Sequence, residues 1–530
     1  MTAEPGSFGA RTTDAGQRKV WWVSLLIFLA LGGLWAVASP LFSYPDEPAH
    51  VIYAAGVVRG DVIGIPAGMQ TEVHVPASYS AIENPSPCYA FKPDVSAACL
   101  PPVAANVPGQ ATVGTLAGRY PPLFYLYAGL PSLFSTGGLG IYLMRLMTVA
   151  LCAALLASAV ASACARSRGP WPLAGLLLAL SPMTLYFTGA VNPQGPEIAA
   201  GICLWTAGLA LLGQVDNQHS DSRMRRRLIL RVVTAGAVLA TVRPISPLWL
   251  LLIVVLIVVA YAQRATFWAI IRLRLVWFGI AVVALLGAGT VAWVQFRGFV
   301  QSEGKTDFAR LPPVRAFQIS LDRLGYWLKQ MVGLFGWLDT DAPFLTYVVW
   351  TALLGVIIVL SLMYASRREL LVMAALMVVG PTISIAAELA SYKEHGFGWQ
   401  GRYVLPLLVG VPILAGHILR NFNGFHRRAA RRLWIVFPGL VAIAQFVAFK
   451  ETLSRYSRGI PFDLTKPVSP LTWAPPIGST ALIAGFAVVL LLAAVLMWRT
   501  LVTAGCLAPG TDASERDEEP LICRPLEATR

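Results

Sequence analysis

Apolar stretches of about 18 or more residues recur from one end of this chain to the other, and no other feature restricts its fold so tightly. Each is long enough to cross about 30 Å of hydrocarbon as a helix. Lipid offers no partner to a backbone N–H or C=O, so immersed chain must be helical or form a closed barrel. The runs are continuous rather than alternating, which excludes the barrel. With 56% hydrophobic and 13% charged residues in 530, the apolar content exceeds what a soluble core takes up. The fold class is therefore all-α and integral to a membrane.

About 12 segments qualify, near 20–42, 139–163, 171–190, 195–213, 228–242, 246–262, 275–296, 344–364, 370–388, 403–419, 433–449 and 479–498. The formal charge of +14 would suggest nucleic acid in a soluble protein. Here the cations cluster between spans, at Arg11, Arg18 and Lys19, Arg166 and Arg168, Arg223 to Arg227, Arg264, Arg272 and Arg274, Arg367 and Arg368, and Arg420 to Arg432. Placing every cluster inside is consistent with the span count and puts both termini in the cytoplasm. No nucleic-acid partner is implied. The first segment runs straight into Ser43-Tyr44-Pro45-Asp46 without a small-residue cleavage site, so it reads as a span and not a signal peptide.

The chain then divides into a polar, disordered cytoplasmic start (1–19), a membrane domain (20–498) and a disordered cytoplasmic tail (499–530). Within the membrane domain, a long first outer loop covers 43–138 and a second covers 297–343. Residues 119–127 are apolar and crowded with aromatics, which suits an interfacial or re-entrant helix. Phe317, Leu321, Leu324, Leu328 and Met331 recur at helical spacing, with Arg315, Asp322, Arg323 and Lys329 between them, as in an amphipathic helix lying on the outer leaflet. Cys88 and Cys99 alone share an outer loop, and in an oxidising compartment they pair or remain two free thiols. No internal repeat is evident.

Two adjacent carboxylates, Asp46 and Glu47, stand at the edge of the first span. Ionisable groups so close to hydrocarbon commonly face a cavity and mark function. Three further polar motifs fall on the same side: Tyr120-Pro121-Pro122-Leu123-Phe124-Tyr125, Asn192-Pro193-Gln194-Gly195, and Gln400-Gly401-Arg402-Tyr403-Val404-Leu405-Pro406. In this combination, with Pro45-Asp46-Glu47-Pro48-Ala49-His50, the chain resembles the GT-C superfamily of membrane glycosyltransferases. It resembles more closely the domain-of-unknown-function family 2142 assigned beside them. The resemblance touches roughly residues 40 to 420 and implies a GT-C-like bundle. It also implies a polyprenyl-phosphate-linked sugar as donor, an outward-facing site, and an acid of the first outer loop as catalytic base. Fold alone does not carry function.

Inverting sugar transfer needs a base within hydrogen-bond reach of the acceptor hydroxyl and cations for the leaving phosphate. Asp46 is the favoured base, with Glu47 beside it and His50 one turn on to orient a carboxylate. Asp46 can also serve simply as N-cap of a helix starting at Pro48. Asp46 and His50 are the only candidates for a metal, and oxygen-rich ligation would favour magnesium or manganese. Gln194, standing where an acid might be expected, weakens that assignment. Arg402 is the first choice for the phosphate because a guanidinium fork matches its oxygens. Arg119, Arg243 and Lys393 follow, the last two serving equally well as headgroup-binding cations. Asn192 and Glu197 suit sugar hydroxyls or helix capping, and Gln400, Tyr120 and Tyr403 line the same mouth.

These residues support a glycosyltransferase at the outer face of the cytoplasmic membrane, acting on an envelope glycan, lipid or protein in a setting rich in membrane lipids. The basic, proline- and alanine-rich composition fits a high-GC bacterium. The competing readings are a transporter or flippase of lipid-linked sugars and a noncatalytic envelope-assembly protein. Cysteines introduced at Asp46 and Gln400 should react with an impermeant thiol reagent from one side of the membrane, and one at Arg225 only from the other. Reaction of the first two from opposite sides would remove the basis for a shared site.

Overall fold

The computed structural model describes residues 14–82, 86–165, 169–213, 222–298, 306–422, 427–460 and 472–503. Arg11, Arg166, Arg168, Cys506, Cys523 and most of both tails lie outside them. Helices predominate. The membrane part opens with α1 (Asp14–Ala38), and the first loop contributes α2 (Glu47–Val57) and α3 (Leu123–Ala128). Then come α4 (Gly138–Ala163), α5 (Trp171–Ala179), α6 (Pro182–Thr188), α7 (Gln194–Leu212), α8 (Ser222–Thr241), α9 (Ser246–Tyr261), α10 (Arg264–Ile271) and α11 (Arg274–Arg297). The second loop carries α12 (Pro313–Asp322) and α13 (Leu324–Gly333), and α14 (Phe344–Tyr364), α15 (Arg367–His395), α16 (Leu405–Leu408), α17 (Gly410–Ile418), α18 (Arg427–Arg458) and α19 (Ser479–Thr503) complete the chain.

Each of the twelve apolar segments is helical, although not each is one full span. Among the described residues, nine helices are long and apolar enough to cross a membrane, or ten when α5 and α6 count as one broken span. The remaining two segments are α9, at 16 residues, and α8, whose first turns are arginine-rich. The 66° bend between α5 and α6 follows from the sequence. Pro182 drives Ser181 out of the helical region to φ −57°, ψ 160°, and the Ser181 hydroxyl then caps α6 by accepting the Thr184 N–H. The carbonyls freed by the break find side chains from other helices: Gln445 donates to Leu180 O at 2.7 Å and Trp350 to Leu178 O at 3.1 Å. Backbone groups are thus satisfied where no water would serve.

The first loop is more ordered than its proline and glycine content suggests. Beyond α2 it holds a three-stranded antiparallel sheet, β1 (Ile65–Ala67), β2 (Gln70–Pro76) and β3 (Gln110–Thr115), in that order. Thr71 pairs with Thr115 and Val73 with Val113. Along β2, Thr71, Val73 and Val75 alternate inward, the half-buried pattern of a strand with one covered face. They pack on α2, where Gly56 lets Val73 approach so closely that an added Cβ would meet it at 2.9 Å. Cys88 and Cys99 form a disulfide. Its loop is grasped by Arg455 at the end of α18, which donates to the carbonyls of Tyr89, Lys92 and Val95 and pairs with Asp339.

The amphipathic segment of the second loop is two helices broken at Arg323. Its apolar stripe faces outward, with Phe317, Leu321 and Leu328 exposed beside Val314. Ala316, Ser320, Trp327 and Gln330 turn inward and are buried. A two-stranded ribbon, β4 (Leu334–Phe335) with β5 (Thr340–Asp341), closes the loop ahead of α14. The short α3 likewise buries Phe124 and Tyr125 and exposes Leu123 and Leu126, and at six residues it does not span.

Candidate active site

The chain between α1 and α2 is set by one buried ion pair. Arg145, from the first turns of α4, is fully buried and spends its guanidinium on two tasks. It donates to the terminal carbonyls of α1 and the residues beyond, at Ala36 and Ser39 (2.7 Å each) and Pro40 (2.6 Å). Such carbonyls lack partners within their own helix. It also forms a two-pronged bond with Glu47, Nε to Oε1 at 2.8 Å and Nη2 to Oε2 at 2.6 Å. The backbone N–H groups of Phe42 and Val191 complete the carboxylate at 2.9 and 3.1 Å.

Glu47 therefore has both oxygens occupied and no exposed surface, which suits a structural clamp and leaves it no proton-transfer role. Asp46 is the opposite case. It stands before α2 with φ 64°, a left-handed conformation that Asp tolerates better than most residues, and its side chain makes no capping bond. The N-cap alternative thus applies to its position and not to its carboxylate. That side chain is 52% exposed, and its Oδ2 lies 3.6 Å from Nη2 of Arg402.

Arg402 enters from the Gly401–Val404 turn that leads into α16. It is 1% exposed, yet among the described residues neither Nη1 nor Nη2 has a hydrogen-bond partner. Nε donates to the Gln400 side chain at 2.6 Å, and the plane lies over the rings of Phe187 (4.8 Å) and Tyr403 (5.3 Å). A desolvated cation with unspent donors is costly, and it calls for an anion or water to satisfy it. Arg243 also lies over the Tyr403 ring, 4.9 Å from its centre, and is already neutralised, donating to Glu197 at 2.7 Å. Ser246 donates to the same carboxylate at 2.6 Å.

Asn192 ties the α6–α7 turn to this group, donating to Pro45 O at 3.0 Å while its own oxygen accepts the Gln194 N–H at 2.9 Å. His50 sits beneath, Nδ1 at 2.8 Å from the Tyr125 hydroxyl and its ring 5.5 Å from that of Tyr120. Burial, with Arg243 and Arg402 nearby, pulls the imidazole down to about 3, so His50 is neutral at working pH. Burial pushes the Tyr125 phenol up, so it stays protonated.

The structure thus gathers Asp46, Glu47, His50, Tyr120, Asn192, Glu197, Arg243, Gln400, Arg402 and Tyr403 from five parts of the chain. Arg119 instead turns its guanidinium toward Gly68 O at the hairpin (3.3 Å), and Lys393 lies over Tyr392 at the exposed end of α15. Among the described residues no group of three or more His, Cys, Asp or Glu side chains gathers as a metal site, and Asp46 pairs with the Arg402 guanidinium. Sequence reasoning passed over Arg145, whose signal was a lone cation inside an otherwise apolar span.

Breaking a buried pair by removing one partner typically costs about 3–5 kcal/mol, whereas replacing both with apolar residues is far milder. Glu47→Gln and Arg145→Met should each lower the melting temperature and yield of the purified protein sharply, and Glu47→Leu with Arg145→Met should recover part of the loss. Equal melting temperatures for the wild type and both single variants would show that the pair is not what holds the α1–α2 junction.

Among known proteins, no match is found in the curated set. The structure is similar to that of ArnT from Cupriavidus metallidurans in the apo state, at 13% identity over 92% of this chain and 81% of that one, with a TM-score of 0.38. The family model described as "Predicted membrane protein (DUF2142)" matches residues 29–411. The chain belongs to that family of multi-pass membrane proteins.

Proposed function

We propose that the protein is an inverting membrane glycosyltransferase that takes a sugar from a polyprenyl-phosphate donor at the outer face of the cytoplasmic membrane. The observation that carries this reading is the buried Arg402, with two unspent guanidinium nitrogens 3.6 Å or more from a half-exposed carboxylate that no other group among the described residues claims. Asp46 accepts the proton of the acceptor hydroxyl as its oxygen attacks the anomeric carbon. The bond from that carbon to the phosphate oxygen breaks, and the phosphate leaves with the electron pair toward Arg402. Preorganised donors aimed at that developing charge are worth most in a dry site. Arg243, held by Glu197, whose other oxygen accepts from Ser246, keeps Tyr403 in place beside it, and the ring offers a face for a sugar.

The arrangement of basic loops supports the outer-face placement, because it puts the Asp46 side of every span opposite the arginine clusters. The acceptor, an envelope glycan, lipid or protein, approaches Asp46 from its exposed side. Neutral His50 and protonated Tyr125 support the floor of the site, so an ionisation near pH 6.5 in the rate profile is not assigned to His50.

Reconstituted with labelled polyprenyl-phosphate sugars, Asp46→Asn should lose transfer by about 10²–10⁴-fold while binding polyprenyl phosphate within a few-fold of wild type. Arg402→Gln should weaken that binding by about tenfold or more. Transfer that survives Asp46→Asn would remove Asp46 as base. A donor moved across the bilayer chemically intact would replace the enzyme with a transporter.

A further inference from the structure

The loop that presents Arg402 is gripped by the amphipathic helices of the second outer loop. The Gly401–Val404 turn has Gln400 at its N-cap, yet Gln400 makes no capping bond because its side-chain oxygen is taken by Arg402 Nε. The first N–H groups of a helical turn need an acceptor from elsewhere. For Gly401 that acceptor is the side-chain oxygen of Gln330, a fully buried residue of α13. Residue 401 must be glycine for α13 to approach, since an added Cβ would stand 2.1 Å from Trp327 O.

Two more bonds hold the preceding residue. Trp327 Nε1 and Arg323 Nη2 both donate to Trp399 O, at 3.1 and 3.3 Å. Beneath them Arg323 Nε lies 3.2 Å from the buried carboxylate of Glu388 on α15. Three inward residues of one helical stripe, Arg323, Trp327 and Gln330, thus fix residues 399 to 401, while the opposite stripe is exposed and apolar.

We propose that Gln330 is a positioning residue for Arg402: by capping the Gly401 turn from a neighbouring helix, it frees Gln400 to orient the guanidinium. This rests on the reading that Arg402 receives the donor phosphate, but the hold of Gln330 on the 400–402 turn is measurable without any donor. Gln330 does not touch substrate and acts only through the 400–402 turn. Gln330→Leu removes the acceptor, and Gln330→Glu retains one.

Two measurements on the full chain in nanodiscs test the proposal. In the first, an Arg402→Cys protein is labelled with an impermeant thiol reagent and compared with the parent protein, which has no added cysteine. Labelling should be about tenfold faster when Gln330→Leu is added and near the original rate with Gln330→Glu. Equal rates in all three would overturn the proposal. In the second, polyprenyl phosphate binding is measured in a double-mutant cycle. Gln330→Leu should weaken binding about tenfold when Arg402 is present and less than about twofold in Arg402→Gln. Equal losses in both backgrounds would mark Gln330 as merely structural and also overturn the proposal. If wild-type protein does not bind polyprenyl phosphate, the donor reading fails, and the labelling rates decide the positioning role by themselves.

Discussion

The bond between Glu47 and Arg145 is the constraint on which the site depends. Fully buried charges survive only when they are matched in geometry and their remaining donors and acceptors are used. Here the match is complete on both sides: the carboxylate takes two guanidinium and two backbone donors, and the guanidinium closes the carbonyl end of α1. One pair therefore ties α1, α2, α4 and the turn before α7 into a single joint. Because Glu47 is held so firmly, its neighbour Asp46 is forced into a left-handed conformation and out of the capping role. The exposed acid owes its availability to the buried one.

The same division recurs across the mouth of the bundle. Arg243 is neutralised by Glu197, and Arg455 by Asp339 and a fan of loop carbonyls, so both act as struts. Arg402 differs because its terminal nitrogens are buried without acceptors and its nearest carboxylate lies at 3.6 Å, too long for a strong hydrogen bond. Stacking on Phe187 and Tyr403 offsets part of the desolvation cost without using those donors. A cation stabilised by ring faces keeps its edge for a ligand.

The helical architecture was legible because hydrocarbon imposes one rule on every segment that crosses it, and twelve apolar runs obey it. Polar residues at span mouths were legible for the same reason: Asp46, Asn192, Glu197, Arg243 and Arg402 stand out against apolar flanks. Partnerships were not. Glu47 and Arg145 are 98 positions apart, and nothing local to either names the other. Glu47 was grouped with Asp46 because the two are adjacent, but consecutive side chains diverge, and here they meet opposite environments. The sheet of the first loop was missed because β1 has only three residues and β2 finds its main partner, β3, across the long segment between Pro76 and Gln110. In the amphipathic helices the apolar stripe drew attention, but the inward stripe of Ala316, Ser320, Arg323, Trp327 and Gln330 carries the specific contacts.

The central claim is that Arg402 keeps its guanidinium edge for the phosphate of a polyprenyl donor while Asp46 faces the acceptor. A structure of the protein in lipid with polyprenyl phosphate bound would test it most directly. The account predicts phosphate oxygens about 3 Å from Arg402 Nη1 and Nη2, with Asp46 exposed beside them. Phosphate density at Arg119 or Lys393, with Arg402 satisfied by protein atoms alone, would contradict it.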